Sequence, residues 1–521
     1  MKHVAVYGFH DASLCLKDGD QYFIYEAERF FKKRYGTLTQ TFADHEYLSH
    51  LCPTDAEFEF FFNYIKKKHN ITYIENFHYS EIYPCDLEKI KRIFSIQNYK
   101  PFDHHHAHAL SVYTQSPFDE CYIITYDGNG KNVDQTESSF VFWQVNSGKL
   151  QKIQDLQPWE SFSLGCCYIG AANCLSSIKK KKNFGLPTAG KLMGLCSYGK
   201  PRDAWKPVIR EFFDHGSDEL ADKVSDTIGF DIRDYDILSG QDELDYAATL
   251  QWAFEDKFFG IFNTLKIPKG ANLCLSGGCA LNILVNQKLH DMGYNLYIPP
   301  NSGDCGLTIG ITANAYGDKN IDITYAGYEI LDPNYTDYSF SNTEVSNEDI
   351  ARMLYEKKKI IGFIYGRSEC GPRALGNRSI LCYPDILDLK NKLNAEIKFR
   401  EWFRPFGAIT KLENIDKYFE NACPSPYMNF CPTLKEQYRF PAITHVDKTC
   451  RIQTITKEQH PDLYDILTEI EKMGGEGLLL NTSFNIKGKP ILTRLHDAFE
   501  VCRQTKLDGF IYNNVYYNKE V

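Results

Sequence analysis

A short apolar run followed by two glycines and a helix-like run is the feature that most narrows the fold of this 521-residue chain. Residues 273–275 have the length and composition of a buried strand, and residues 280–289 continue with helical spacing. Ser276, Gly277 and Gly278 form the turn between them. A strand, a glycine turn and a helix in succession are typical of α/β proteins. The backbone N–H groups at such a turn can bind phosphate, although a plain strand–helix turn would need the same glycines. The P-loop spacing is absent here.

Strand and helix patterns alternate along most of the chain. Residues 4–9, 14–16, 22–25 and 122–126 have strand patterns, whereas residues 56–68 and 244–265 have helical ones. Residues 325–349 are polar and contain Pro333 and Asn334, which indicates a linker. Beyond it, strand and helix patterns resume at 360–365, 387–393, 478–480 and 498–505, and we detect no fixed-period repeat. We therefore predict two α/β domains, residues 1–335 and 345–521.

Length and charge narrow the class of protein further. At 60.0 kDa, the chain is too large to fold around a single hydrophobic core of ordinary size. The net charge of −10 argues against a protein coated with positive charge for gripping duplex DNA. Residues 1–6 lack the pattern of a signal peptide, and no apolar run approaches the ~20 residues of a membrane helix. We therefore expect a cytoplasmic protein without membrane contact, whose 17 cysteines are reduced thiols.

A histidine cluster at residues 104–108 is the most unusual stretch of the sequence. His104 and His108 stand four residues apart, so on a helix they share one face and could share a metal ion. Asp127 ends a predicted strand, and Asp304 stands in a glycine-rich turn. Two imidazoles and two carboxylates suit Fe²⁺, Mn²⁺ or Zn²⁺. Solvated or helix-capping histidines would explain the cluster as well.

Arginines interleaved with glycine and proline mark a second candidate site. Three of them lie within residues 365–378, two more follow within 398–406, and polar side chains follow a strand at 481–485: Arg367, Arg373, Arg378, Arg400, Arg404, Asn481 and Ser483. Guanidinium groups on a glycine-rich scaffold suit bidentate recognition of phosphate or carboxyl oxygens. A solvated helical face would space its charges without these glycines. The segment predicts a polyanion pocket.

Nine motifs, in order along nearly the whole chain, resemble those of the O-carbamoyltransferases of nodulation-factor and antibiotic biosynthesis, typified by the tobramycin enzyme. They are GFHDAS at 8–13, EAERF at 26–30, HHHAHA at 104–109, TYDG at 125–128, GKLMGL at 190–195, SGGCALN at 276–282, GDCG at 303–306, GPRALGNRS at 371–379 and LNTSFN at 480–485. Any one of them could arise by chance, whereas nine in the family's order form a specific signal.

The resemblance implies an actin/hsp70-like ATPase-type amino-terminal domain and a YrdC-like carboxy-terminal domain. In that family the carboxy-terminal domain forms carbamoyl-adenylate from carbamoyl phosphate and ATP. The intermediate then reaches the amino-terminal domain, where a metal-assisted step carbamoylates an acceptor hydroxyl. The implied cofactors are ATP with Mg²⁺ and a divalent metal, with Fe²⁺ as the first choice.

The same resemblance implies a role for each matching residue. The metal ligands would be His104, His108, Asp127 and Asp304. His10 would lie beside the acceptor hydroxyl as general base or orienting group, and Lys191 near the transferred group. Gly277, Gly278 and Asn282 would hold the adenylate. The ligands of ATP and carbamoyl phosphate would be Arg367, Arg373, Arg378, Arg400, Arg404, Asn481 and Ser483.

Two departures concern the acceptor. The family usually has an acidic residue where this chain has Ala189, and four lysines stand just upstream at 179–182. A lysine run is typical of a solvated loop. Beside the acceptor site it would instead favour an anionic acceptor, such as a hydroxymethyl-pyrimidine nucleotide, a nucleic acid with that base, or a sugar phosphate. The sequence predicts nucleic acid only as an acceptor, and leaves the acceptor and the oligomeric state open.

Two other functions remain as alternatives. A threonylcarbamoyl-type tRNA-modifying enzyme would share the folds, although the acidic composition and the arginine segment disfavour it. A non-enzymatic nucleotide-binding protein of the actin/hsp70 class would explain the glycine turns but neither the histidine cluster nor the arginine segment.

Overall fold

The computed structural model describes residues 1–39, 49–156, 163–178, 186–215, 217–234 and 237–519. The chain separates into two units, Met1–Ile323 and Thr324–Val521, called here the amino-terminal and the carboxy-terminal unit. Both combine helices with β-sheets, so the predicted α/β fold class is confirmed. In the described ranges no helix is at once long enough and apolar enough to cross a bilayer.

The amino-terminal unit contains two five-stranded sheets. Its described strands are β1 (His3–Tyr7), β2 (Ser13–Asp18), β3 (Gln21–Glu26), β4 (Ile74–Ser80), β5 (Ile96–Pro101), β6 (Cys121–Lys131), β7 (Glu137–Asn146), β8 (Lys149–Leu156), β9 (Asn272–Ser276) and β10 (Asn295–Tyr297). Its described helices are α1 (Ala27–Phe31), α2 (Asp55–Lys68), α3 (Pro84–Phe94), α4 (His104–Gln115), α5 (Leu164–Gly170), α6 (Thr188–Leu195), α7 (Lys206–His215), α8 (Asp218–Ile228), α9 (Gly240–Thr264), α10 (Ile283–Asp291) and α11 (Leu307–Tyr316).

The two sheets have the same topology. The first has the strand order β3-β2-β1-β4-β5, and the second has the order β8-β7-β6-β9-β10. In each, the first three strands form an antiparallel meander, and the last two join parallel to the first. The amino-terminal unit therefore consists of two topologically equivalent halves, which no period in the sequence indicates.

The helix that follows each sheet packs onto the other sheet. Helix α4 follows β5 yet packs on β6 and β9, and α11 follows β10 yet packs on β1 and β2. The two helices also pack against each other, with the apolar Ala107, Leu110, Leu307 and Ile311 in one buried cluster. They cross at Gly310, where a Cβ atom would lie 2.2 Å from the backbone nitrogen of Ser111. The first turns of α4 and α11 are therefore held side by side between the sheets.

The carboxy-terminal unit is built around a mixed eight-stranded sheet with the order β11-β20-β19-β12-β13-β18-β14-β17. Its described strands are β11 (Phe340–Glu344), β12 (Ile361–Ile364), β13 (Arg378–Cys382), β14 (Gly407–Lys411), β15 (Phe419–Glu420), β16 (Thr433–Leu434), β17 (Arg451–Ile455), β18 (Leu478–Ser483), β19 (Gly509–Tyr512) and β20 (Val515–Lys519). Its described helices are α12 (Asn347–Tyr355), α13 (Leu389–Lys392), α14 (Ile415–Tyr418), α15 (Pro461–Lys472) and α16 (Leu495–Gln504).

Side chains alternate between the two faces of this large sheet, as the period of two in a strand requires. On β18, Leu479 lies in the buried cluster that contains α12 and α15, whereas Leu478 and Leu480 lie in the cluster that contains α16. Both faces are thus covered, which explains the consecutive apolar residues Ile380–Cys382 on β13 and Leu478–Leu480 on β18.

The structure corrects two details of the predicted elements. The predicted helix at 280–289 begins later, at Ile283, because the Asn282 side chain accepts a hydrogen bond from the Val285 N–H and caps α10. A 3₁₀ turn, Gly278–Leu281, precedes it. The predicted linker at 325–349 contains β11, which pairs with β20 at a sheet edge and exposes most of its polar side chains.

Candidate metal centre and anion pocket

Four side chains from distant parts of the amino-terminal unit converge at the side-by-side ends of α4 and α11. His104 and His108 lie on the first turns of α4, and Asp304 opens the 3₁₀ turn (Asp304–Gly306) that leads into α11. Asp127 lies on β6, where the pairing with β7 shifts register between Tyr126 and Gly130. One ligand atom from each of the four lies within 4.8 Å of the others, and the two histidines are almost fully buried.

The separations between these atoms match those of ligands around one ion. His104 Nε2 and His108 Nε2 are 3.2 Å apart, and they lie 3.5 and 3.4 Å from Asp304 Oδ1. Asp127 Oδ2 lies 3.2 Å from His108 Nε2 and 3.9 Å from His104 Nε2. Tetrahedral ligands bound at about 2.1 Å would stand about 3.4 Å apart. The four residues therefore fit a divalent transition metal.

Neighbouring groups orient two of the four ligands. Tyr7 donates its hydroxyl proton to Asp304 Oδ2 at 2.9 Å, which leaves Oδ1 for the cluster. Ser276 donates to the Ser302 carbonyl and lies 3.2 Å from His108 Nδ1. Because its one proton is used, Nδ1–H of His108 must be the donor of that contact, and the lone pair of Nε2 faces the cluster.

The backbone fixes Asp127 at the same place. Gly278 N–H donates to Oδ2 at 2.9 Å, and Gly128 N–H donates to Oδ1 at 2.6 Å. The predicted phosphate-binding turn is thus bonded to the predicted metal ligand. Gly277, with φ of +97°, brings its backbone so close to Tyr126 that a Cβ would lie 2.2 Å from that carbonyl oxygen.

The other two histidines of the cluster have different partners. His105 contacts Thr125 Oγ1 at 2.9 Å and the Ser138 carbonyl at 2.8 Å. His106 stacks against Trp143, with ring centroids 5.8 Å apart. Helical spacing separates the pair that faces the candidate metal centre from the pair that packs against the second sheet.

Carboxylates and imidazoles of opposite charge face each other in the candidate metal centre. Burial opposes ionisation of Asp304, but His104 and His108 outweigh it and hold its pKa well below the usual range. Burial also opposes protonation of His104, yet Asp304 and the other carboxyl groups raise its pKa well above the usual value. The carboxylates of the centre thus favour positive charge at the imidazoles, and an ion bound by neutral imidazoles would supply that charge instead.

His10 lies at the edge of the centre in the turn between β1 and β2. Its Nδ1 is 3.1 Å from Asp11 Oδ2 and 3.7 Å from Asp304 Oδ2. Burial lowers the pKa of His10, but the hydrogen bond to Asp11 and the charges of Asp304 and Asp127 outweigh it and raise the value to about 9. Its side chain remains 28% exposed, so a ligand can reach it.

The remaining predicted site residues of this unit that the structure describes form hydrogen bonds with other groups of the protein. Lys191, on α6, is buried and donates from Nζ to the Ile178 carbonyl at 2.8 Å. Asn282 caps α10, and its amide nitrogen donates to Gln251 Oε1 at 3.2 Å. Ala189 lies on α6, whereas the lysine run at 179–182 lies outside the described residues.

In the carboxy-terminal unit three arginines form a cationic cluster. Burial and the charges of Arg451 and Arg404 hold the pKa of Arg373 well below its usual range. Burial and Arg404 lower the pKa of Arg451 to about 10. The Nε atoms of Arg373 and Arg451 are buried without a hydrogen-bond partner in the ranges that the structure describes. Three like charges held together with unused donors indicate an anion pocket.

The sheet places a polar side chain at this pocket. Gly407 pairs with Arg451 on one side and with Asn481 on the other. Residues paired across neighbouring strands share a face of the sheet, so Arg451 and Asn481 lie on either side of Gly407. Met428 lies over the glycine, with Sδ 3.2 Å from where a Cβ would be. Asn481 donates to the Ala374 carbonyl at 3.0 Å and to Gln453 Oε1 at 2.9 Å. Its own Oδ1 is buried without a described partner.

Four other predicted ligands bond to the protein itself. Arg378 is fully buried and donates to four backbone carbonyls, of Tyr328, Tyr365, Gly366 and Asn377. Arg367 donates to the Ala326 and Gly327 carbonyls, Arg400 to Asn394 Oδ1 and the Pro405 carbonyl, and Ser483 to Asn485 Oδ1. The resemblance implies that these residues are substrate ligands, and in the structure their hydrogen bonds also hold the loops of this unit.

Sequence reasoning missed Tyr7, Ser276 and Arg451. Tyr7 and Ser276 are ordinary strand residues whose roles depend on sheet register. Arg451 opens β17 after a polar loop, and it lies far along the chain from the other arginines. The sequence feature that could have indicated Arg451 is its position as a basic residue at the start of a predominantly buried strand.

Known proteins resemble this chain over most of its length. The family model described as carbamoyltransferase N-terminus matches residues 2–313, and the one described as carbamoyltransferase C-terminus matches residues 351–519. Nodulation protein NolO of Bradyrhizobium diazoefficiens is 29% identical over 442 residues, which cover 78% of this chain and 77% of that protein. The 3'-hydroxymethylcephem-O-carbamoyltransferase of Streptomyces clavuligerus is 27% identical over 344 residues, which cover 64% of this chain and 65% of that enzyme.

Among solved structures, full-length HypF in the phosphate- and nucleotide-bound form aligns with 60% of this chain and 55% of its own, at 14% identity and a TM-score of 0.34. At a TM-score this low, no site is transferred from that structure.

Proposed function

Because this chain belongs to the carbamoyltransferase family, we propose that it is an ATP-dependent O-carbamoyltransferase that works through carbamoyl-adenylate. The carboxy-terminal unit would form the adenylate, and the amino-terminal unit would pass the carbamoyl group to a hydroxyl. The observation that carries this proposal is the convergence of His104, His108, Asp127 and Asp304 at separations that suit one metal ion.

The cationic cluster supports adenylate formation. Carbamoyl phosphate and water would give carbamate and phosphate; a carbamate oxygen would then bond to the α-phosphorus of ATP, and pyrophosphate would leave. Each reactant is an anion, so its phosphate oxygens would take the unused donors of Arg373 and Arg451, with Arg404 adding charge. Asn481 would hold the substrate in register with these arginines. Arg367, Arg378, Arg400 and Ser483 would support the surrounding loops.

The metal centre supports the transfer step. An ion held there, Fe²⁺ in our proposal, would polarise the carbamoyl oxygen and offset the charge of the departing AMP. The acceptor oxygen bonds to the carbamoyl carbon, the bond from that carbon to AMP breaks, and the hydroxyl proton is released. His10 lies at the exposed edge of the centre with Nδ1 on Asp11, so its protonated ring can orient the hydroxyl, and its neutral form could accept the hydroxyl proton at Nε2.

The neighbouring residues would hold the adenylate close to this centre. The turn at Gly277 and Gly278 is bonded to Asp127, so an adenylate resting on it would lie beside the metal ligands. Asn282 would support that turn through its cap of α10, and Lys191 would contribute positive charge near the transferred group. The lysines at 179–182 would favour an anionic acceptor.

A coupled assay tests the proposal. The full chain is incubated with ATP, Mg²⁺, carbamoyl phosphate and Fe²⁺ or Mn²⁺, and pyrophosphate and AMP are measured. Sugars, aminoglycosides and hydroxymethyl-pyrimidine nucleotides and DNA are screened as acceptors by mass spectrometry. We expect pyrophosphate release that depends on carbamoyl phosphate, and one acceptor that gains the mass of a carbamoyl group. Folded, metal-loaded protein that releases no such pyrophosphate would contradict the proposal.

The assay also distinguishes the alternatives. Turnover supported by threonine and bicarbonate in place of carbamoyl phosphate would assign a threonylcarbamoyl-type enzyme. Bound ATP that never yields pyrophosphate would assign a nucleotide-binding protein.

A further inference from the structure

Each ligand histidine has one ring nitrogen toward the candidate metal centre and an outer nitrogen, Nδ1, that faces away from it. The outer nitrogen of His108 has a hydrogen-bonding partner, whereas that of His104 has none in the described residues. His104 Nε2 faces the other ligands, and Nδ1 faces away from them. Nδ1 is buried and has no hydrogen-bond partner in the described part of the chain. By contrast, Ser276 contacts the outer nitrogen of His108, and Tyr7 donates to the outer oxygen of Asp304. A ligand histidine normally donates from its outer N–H group to a fixed acceptor.

A carboxylate lies within reach of this nitrogen. Glu81 Oε1 is 3.7 Å from His104 Nδ1, just beyond hydrogen-bond distance. The Glu81 side chain is 25% exposed, whereas that of His104 is 1% exposed. The carboxylate thus stands between solvent and the buried ring, and a small rotation of its side chain would close the gap.

The backbone of Glu81 is held in an unusual conformation. Its φ is +52°, a left-handed value that non-glycine residues adopt uncommonly. The turn that leads to His10 packs directly on it: a Cβ at Gly8 would lie 2.6 Å from the Glu81 carbonyl oxygen, and Gly8 N–H donates to the Ser80 carbonyl at 3.1 Å. Such conformations persist where the surrounding structure imposes them, often beside functional groups.

We propose that Glu81 is a positioning residue of the metal centre, which accepts a hydrogen bond from His104 Nδ1–H and so fixes the ring with Nε2 toward the ion. This inference rests on the metal centre of the proposed function. The hydrogen bond selects the tautomer that leaves the Nε2 lone pair free, and the carboxylate makes that nitrogen a stronger ligand. Glu81 itself contacts neither the ion nor the carbamoyl group.

Mn²⁺ affinity of the full chain, measured by electron paramagnetic resonance of free Mn²⁺, tests the role of Glu81 without any turnover. We expect Glu81→Ala to raise the Kd about tenfold or more. Glu81→Gln keeps an acceptor oxygen without the charge, so its Kd should fall between those of Glu81→Ala and the wild type. The matched control is Glu75→Gln. Glu75 lies on β4, the strand that ends just before Glu81, but its charge acts on His3, so this change should leave the Kd unchanged.

Melting of the metal-free protein separates positioning from a structural role. We expect metal-free Glu81→Ala to melt at the wild-type temperature. A Kd for Glu81→Ala within twofold of the wild type, with binding lost in His104→Ala, would overturn the role of Glu81 alone. A weakened Kd accompanied by a lower melting temperature of the metal-free protein would assign a structural role and overturn it as well. Unchanged binding in His104→Ala would overturn the metal centre itself, and this inference with it.

Discussion

Asp304 occupies the place in the second half of the amino-terminal unit that His104 occupies in the first, and the two side chains meet. Each residue follows the fifth strand of its sheet and leads into the helix that packs on the other sheet. His104 Nε2 lies 3.5 Å from Asp304 Oδ1. The candidate metal centre therefore lies where equivalent parts of the two halves come together, and predictions about it can be tested on either half.

Replacing Asp304 with Asn should weaken the centre without disturbing its shape. The amide keeps an acceptor for the Tyr7 hydroxyl but removes the negative charge that faces the two imidazoles. We expect Mn²⁺ affinity to fall at least tenfold, about 1.4 kcal/mol, and carbamoyl transfer to fall with it. Release of pyrophosphate with carbamoyl phosphate should be unchanged, because we assign that step to the carboxy-terminal unit. The exposed Asp291→Asn is the control, and equal metal binding in both variants would refute the assignment.

The crossing of α4 and α11 should respond sharply to one methyl group. In Gly310→Ala the new Cβ would meet the Ser111 nitrogen at 2.2 Å, which must push the helices apart. We expect a loss of about 3 kcal/mol in the free energy of unfolding and weaker metal binding. The matched control is Gly260→Ala on α9, where no atom lies within 4 Å and the same change should stabilise the protein by about 1 kcal/mol. Urea unfolding of both variants measures the difference, and effects of the same sign would contradict this packing.

Arg451 should matter for adenylate formation and not for stability. Arg451→Gln removes one of three mutually repelling charges, so we expect an unfolding free energy equal to or above that of the wild type. Pyrophosphate release should nevertheless fall at least tenfold, with a higher KM for carbamoyl phosphate or ATP. Arg352→Gln, in a surface ion pair of the same unit, is the control. A loss of activity that merely follows a loss of stability would refute the role of Arg451.

Glu476 should give the carboxy-terminal unit an acid-sensitive contribution to stability. Its carboxylate accepts from Lys417, Arg439 and Tyr418 at 2.5, 2.6 and 3.0 Å. Burial opposes ionisation, but these partners outweigh it and lower the pKa of Glu476 to about 2. A lowered folded-state pKa means that the contribution is present above about pH 4.5 and lost as the pH falls toward 2.

We therefore expect Glu476→Gln to cost about 1 kcal/mol at pH 7, since the exposed Lys417 and Arg439 are screened by solvent. The difference from the wild type should shrink between pH 4.5 and pH 3. Urea unfolding at several pH values measures it, with the exposed Glu420→Gln as control. A difference that stays constant over this range would show that the ion pairs do not stabilise the unit.

Much of this arrangement could be predicted from the sequence, because it depends on local patterns. The strand, glycine turn and helix at 273–289 follow from apolar spacing and from the glycines. The pairing of His104 with His108 follows from the helical period. Asp127 and Asp304 could be suggested as further ligands from the strand end and the glycine-rich turn where they stand, but these patterns left ordinary histidines equally open, and the resemblance to known enzymes then favoured the metal ligands.

What escaped prediction depends on contacts between distant segments. Tyr7 reaches Asp304 only because α11 packs on β1, and Arg451 approaches Asn481 only because both strands flank Gly407. The surroundings of Arg378 could not be predicted for the same reason, since the carbonyls that enclose its guanidinium group come from several segments. The equivalence of the two halves lies in strand order, which leaves no period in the residues.

Helices α4 and α11 each pack on the sheet of the other half, so the candidate metal centre can form during synthesis only after both halves have been made. When the ribosome has completed the first half, α4 carries both imidazoles but has neither the sheet that it will cover nor a carboxylate to balance a bound ion. The second half supplies Asp127 on β6, the first strand of that sheet, and only after β10 does it supply Asp304 and the helix that crosses α4. A nascent chain therefore holds an incomplete ligand set until residue 304 has been made, and the four ligands can meet only when α11 packs on α4.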